Sequence, residues 1–193
     1  MAAPTTRFRK IPLATAAAAA VDTAAERLAA IASEAVVSTG SGNEADFGTV
    51  DISAGAADSA VQTILWDVTA DGGNTVVEAF KLWLSSNGFD QAASVIKMRP
   101  LSGADQVSPT NTANYVANAV VGSYTWADMP ESEPGAQNVW PSDEGTSMAL
   151  STTSDDVVMW AMYAAIAASE TTGTYRGTEA GYELQFSFKY SYS

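Results

Sequence analysis

From Tyr182 to Tyr192 the chain alternates with a period of two. Tyr182, Leu184, Phe186, Phe188, Tyr190 and Tyr192 are apolar or aromatic, and Glu183, Gln185, Ser187, Lys189 and Ser191 are polar. Residues two apart on an extended strand share a face, so this segment has one face of rings and one polar face. A row of exposed rings would make a patch larger than a soluble monomer usually shows. The ring face is therefore expected to point into a core, with the polar face toward solvent or a partner.

The preceding sequence supplies material for that core. Beyond Gly40 and Gly42, short runs rich in Val, Ile, Thr and aromatics alternate with turn clusters, an all-β signature. Strands are expected at Phe47–Ser53, Val61–Thr69, Thr75–Ser85 and Ala93–Arg99, with weaker ones at Tyr115–Val121 and Ser123–Trp126. Ala70–Asn74, "ADGGN", carries two glycines able to take positive φ and reads as a hairpin turn between its flanking strands. Asp128–Thr146 is Pro-rich and acidic and reads as a long loop, followed by a short strand at Ser147–Ser151. Asp156–Ala168 sets helix against buried strand: its length and Ala content favour helix, its β-branched and aromatic start favours strand, and strand is expected. Without a βαβ rhythm, two packed sheets are the economical arrangement: an all-β fold, a β-sandwich of the jelly-roll kind, spanning residues 41–193.

Residues 1–40 differ. Pro4, Pro12 and the cluster Arg7, Arg9 and Lys10 suggest an extended arm, and Ala14–Val37 a helix with Val21, Ala24, Leu28, Ile31 and Ala35 on one narrow face. Basic residues before an Ala-rich stretch also outline a secretory signal, but a mostly-Ala stretch is weak as a signal core, so a structural arm is expected. No run approaches a membrane span.

The chain has 193 residues and a net charge of −13, yet only 16% of its residues are charged. Arg7, Arg9 and Lys10 are a third of its nine positive residues, so the remainder is a poor surface for nucleic acid, which rewards basic patches. The arm's charge suits an acidic neighbouring surface. With no Cys and no His, thiol nucleophiles, zinc-thiolate sites and a Ser-His-Asp triad are excluded, and no enzyme activity is expected.

Three chemistries remain to be weighed. Asp67, Asp71, Asn74, Asp155 and Asp156 are oxygen ligands of the kind calcium takes, but they miss the EF-hand spacing and suit turns for local reasons, so no cofactor is expected. Glu131 with Glu133, or Asp143 with Glu144, would suit acid–base hydrolysis of sugars only across a fixed cleft, whereas acids on a Pro-rich loop are ordinarily solvated. Trp66, Trp83, Trp126, Trp140 and Trp160 are many for this length. As core or interface anchors they need no ligand; as exposed rings they would stack on sugar, making a carbohydrate-binding β-sandwich module the alternative function.

A basic leading segment, a small-residue helix, an acidic Ser/Thr/Ala/Gly-rich β-domain and a terminal aromatic strand occur together here, most clearly in Ile64–Phe89 and Gly173–Ser193. Across residues 47–193 this resembles the structural proteins of tailed-bacteriophage virions, especially small capsid decoration (cement) proteins and tail or fibre components. The resemblance implies a passive role in the virion: binding and stabilising an assembled lattice of major capsid or tail protein, as an oligomer, without nucleic acid or membrane. The partner-binding arm would then use Arg7, Phe8, Arg9, Lys10, Val21, Leu28 and Ile31.

Overall fold

A computed structural model describes residues 2–11, 35–37, 45–60, 62–100, 126–139, 147–149, 154–175 and 183–193. Every regular element among them is a β-strand: β1 (Thr5–Ile11), β2 (Ala35–Val37), β3 (Ala57–Asp58), β4 (Gln62–Ala70), β5 (Val76–Asn87), β6 (Val95–Pro100), β7 (Ala127–Asp128), β8 (Ser147–Ala149), β9 (Ser154–Ile166) and β10 (Leu184–Tyr192). The described residues are all-β, and their strand pairs are antiparallel. One sheet of seven strands runs β2-β1-β4-β9-β6-β7, with β3 also on β9, and a second of three runs β10-β5-β8.

Alternation explains the faces. Gln62, Ile64, Trp66 and Val68 of β4 are buried, and so are Ile96 and Met98 of β6. Trp160 to Tyr163 of β9 are buried at consecutive positions, as expected of a strand held between β4 and β6 and covered on both faces. That central place settles the contest between helix and strand for the most apolar run. In β5 the buried residues are Val77 and then Phe80, Leu82 and Leu84, a change of phase across Ala79. The inner residues of both sheets belong to one hydrophobic cluster, with Trp66 of β4 against Phe80 of β5 at 4.9 Å between centroids.

Several expectations are corrected. The turn Ala70–Asn74 does not join a hairpin, because β4 and β5 lie in different sheets and the chain passes from one sheet to the other there. Both strands carry an apolar face, and the Trp66 ring of one meets the Phe80 ring of the other in the common cluster. Gly72 (φ +64°) and Gly73 (φ +84°) make the bend. A Cβ on Gly72 would lie 2.5 Å from the Ala2 carbonyl oxygen, so the backbone ahead of β1 passes directly over this turn.

Phe47–Ser53 forms no strand. The Asp46 and Asp51 carboxylates accept hydrogen bonds from the backbone N–H of Gly48 and Ser53, turning the chain locally instead. Ala35–Val37, the end of the expected helix, is strand β2, and residues 12–34 lie outside the described residues, as do Tyr115–Val121 and most of Ser123–Trp126. Asp128, at the start of the expected long loop, pairs with β6 together with Ala127 as β7.

Candidate functional site

The first strand is stitched into the large sheet on both sides. Phe8 stands opposite Val37 of β2 and Trp66 of β4, and Lys10 opposite Ala35 and Ile64. Four of the expected arm residues, Arg7, Phe8, Arg9 and Lys10, therefore lie within a sheet, and Arg9 is buried. Val21, Leu28 and Ile31 lie outside the described residues. The Lys10–Ala35 pairing sets the end of β1 beside the start of β2 at the edge of the sheet.

Inside, Phe8 contacts Trp160 edge-on at 6.0 Å and Phe188 of β10 edge-on at 4.7 Å. Phe188 also stacks on Phe80 at 6.0 Å, and Tyr190 lies 4.7 Å from Trp66. The terminal rings thus close over the core, with Leu184, Phe186 and Tyr190 packed against it, and burial raises the Tyr190 pKa. The sheet ends at β10, so the closure is incomplete: Phe188 is 39% and Tyr192 43% exposed. Phe8 meets Phe188 edge-on, and Tyr192 lies 6.0 Å from Tyr190.

The loop after β7 closes another side of the core. The Ile96 carbonyl accepts from the Met129 N–H, and the Pro130 carbonyl accepts from the Leu84 N–H, both at 2.8 Å. Asn138 pairs with Leu82 as a strand residue would: its Oδ1 accepts the Leu82 N–H at 2.9 Å and its Nδ2 donates to the Leu82 carbonyl at 2.7 Å. Met129 and Val139 bury their side chains beneath. Glu133 Oε1 accepts from Lys189 at 3.0 Å and from Lys81 at 3.2 Å, which together hold its carboxyl below the usual range. Glu131 Oε1 accepts from Asn87 Nδ2 at 2.6 Å. The two acids weighed as a hydrolytic pair are therefore loop ties; Asp143 and Glu144 lie outside the described residues.

No protein-family model, curated protein or solved structure matches the chain.

Of the remaining sequence candidates, Asp67 of β4 lies alongside Asp155 and Asp156 of β9, in the irregular stretch between the Trp66–Val158 and Val68–Ser154 partners. Asp71 caps its own turn, accepting the Gly73 N–H at 2.9 Å, while Asn74 Nδ2 donates to the carbonyls of Asp71 and Ala2. Among the described residues no group of three acidic side chains is placed to hold a metal ion. Trp66 and Trp160 are core residues, and Trp126 lies edge-on to Tyr163 at 4.8 Å. Trp83 is half-buried on the outer face of β5, opposite Ser187, and Trp140 lies outside the described residues.

One buried acid escaped the sequence reading. Glu170 accepts from the backbone N–H of Asp90 at 2.8 Å and of Gln91 at 3.2 Å, and from the Tyr175 hydroxyl at 2.7 Å. Burial pushes its pKa up, but bonds from Ser94, Asp90, Tyr175 and Gln91 outweigh that and leave it lowered. It fastens the β5–β6 connection to the segment after β9. A lone Glu between Ser and Thr carries no sequence signal of this, because apart from Tyr175 its partners lie about eighty residues away, and two of them are backbone N–H groups.

Proposed function

We propose that this chain is a non-enzymatic structural protein of a bacteriophage virion, a capsid decoration protein that binds and stabilises an assembled lattice. In this reading the two sheets are the layers of a β-sandwich, and the contact segment is residues 12–34, with Val21, Leu28 and Ile31 as its apolar anchors and Arg7, Arg9 and Lys10 at its root. The observation that carries it is the pairing of β1 with β2, which holds both ends of that Ala-rich segment at one edge of the sheet. A segment tethered at both ends loses less entropy on docking than a free tail of equal length. The acidic, charge-poor remainder suits a body that packs beside neighbours.

The test replaces residues 12–34 by a short Gly/Ser linker, leaving β1 and β2 able to pair. Particles containing the chain are purified, and its copy number is obtained by native mass measurement. The expected result is a fixed stoichiometry for the natural chain and loss of the variant from the particle, with its near-ultraviolet circular dichroism unchanged. Normal incorporation of the variant, or a natural chain found apart from any large assembly, overturns the proposal.

A further inference from the structure

We propose that Asn87–Gly88 is a self-modifying site, where the chain turns one of its own amides into a carboxylate and so loosens the loop that closes the edge of β5. Asn87 is the last residue of β5, and Gly88 opens the connection to β6. Of the seven asparagines in the sequence it alone precedes glycine; the others precede Glu44, Thr75, Thr112, Tyr115, Ala119 and Val139. Glycine has no Cβ, so its peptide nitrogen is unshielded and its backbone turns freely toward the preceding side chain.

Local geometry sets the amide for attack. Asn87 Oδ1 accepts the Phe89 N–H at 3.1 Å, an Asx turn that curls the side chain back along the backbone. Asn87 Nδ2 donates to Glu131 Oε1 at 2.6 Å. The oxygen that gains negative charge during attack on Cγ therefore already faces a donor. In the reaction the Gly88 nitrogen bonds to Asn87 Cγ and gives up its proton. The Cγ–Nδ2 bond breaks, and Nδ2 takes a proton and leaves as ammonia. The five-membered succinimide that results takes up one water. Opening at Cγ gives aspartate at position 87, with the main chain as before; opening at the α-carbonyl gives isoaspartate, with the main chain routed through the side chain. Nothing is oxidised or reduced, and loss of ammonia makes the change one-way.

The product reverses the local electrostatics. A donor facing Glu131 becomes a second carboxylate, and like charges so close repel. Glu131 adjoins Pro130, whose carbonyl accepts the Leu84 N–H at 2.8 Å, and the same loop runs on to Asn138 at Leu82. Repulsion at position 87 therefore strains the Leu84 tie first. The chemistry needs only the isolated chain and is independent of the virion reading.

Incubation of the full chain at mildly alkaline pH, with peptide mass spectrometry beside a free peptide of residues 83–91, provides the test. Asn87 should lose its amide at least as fast as the peptide does, while Asn138, also bonded through both ends of its amide but followed by Val139, stays intact. Gly88→Ala, at a glycine outside the set with positive φ, should slow the loss severalfold. Asn87→Asp should speed hydrogen exchange at the Leu84 N–H. Adding Glu131→Gln should restore protection, because amide and carboxylate have then traded places. An Asn87 amide that outlasts the peptide's overturns the inference, and so does Leu84 exchange equal in Asn87→Asp and the natural chain. If a variant fails to fold, the modified natural chain, separated by its extra negative charge, decides the exchange comparison in the same way.

Discussion

Lys81 and Lys189 stand directly opposite each other across β5 and β10. Like charges in that position repel. Glu133, on a loop some fifty residues from either, places one carboxylate oxygen against both ammonium groups. The loop tie and the strand pairing therefore depend on one another.

Replacing Glu133 by Gln should lower the melting temperature at low salt and much less at high salt, because the exposed repulsion it leaves is screened. The folded-state pKa is depressed, so the tie stabilises above the unfolded pKa and is lost as pH falls through the folded value. Thermal melts of both proteins against salt and pH check this; a salt-independent deficit would show that Glu133 acts through packing instead.

Glu170 is the buried counterpart. Its depressed pKa means the stability it contributes is fully present above the unfolded carboxylate pKa and is lost as pH falls through the folded one. Glu170→Ala orphans the Asp90 and Gln91 N–H groups and the Tyr175 hydroxyl, and should destabilise by about 2–4 kcal/mol near neutral pH. Urea unfolding at neutral and acid pH should show the gap between the two proteins closing in acid.

Gly72→Ala should be severe. The added Cβ meets the backbone of Ala2 and Ala3, and φ is +64°. A loss of about 2 kcal/mol or more is expected, whereas Gly135→Ala, whose Cβ meets nothing within 4 Å, serves as the neutral control. Equal melting temperatures for the two variants would rule out the close approach.

Ala79 is the described non-glycine residue with positive φ, +55°. It lies where β5 changes phase, so that Val77 and Phe80 both point inward although three positions apart. Ala79→Gly should relieve the strain and stabilise by up to about 1 kcal/mol. A destabilised variant in chemical denaturation would mean that the methyl group packs usefully.

The sequence by itself determined strand content wherever apolar residues recur with a period of two, as at Ile64, Trp66 and Val68 or along the terminal comb. That pattern is local, because alternate side chains of any extended chain share a face. Only the tertiary structure decided which strands pair. "ADGGN" satisfies a hairpin turn as well as a crossing between sheets, and the choice rested on where Trp66 finds Phe80 and where the N-terminal backbone passes Gly72. The same holds for β1, whose basic residues suggested an arm, and for Glu133, Asn138 and Glu170. Their partners lie roughly fifty to eighty residues away and are often backbone atoms, which are the same at every position and leave no trace in side-chain order.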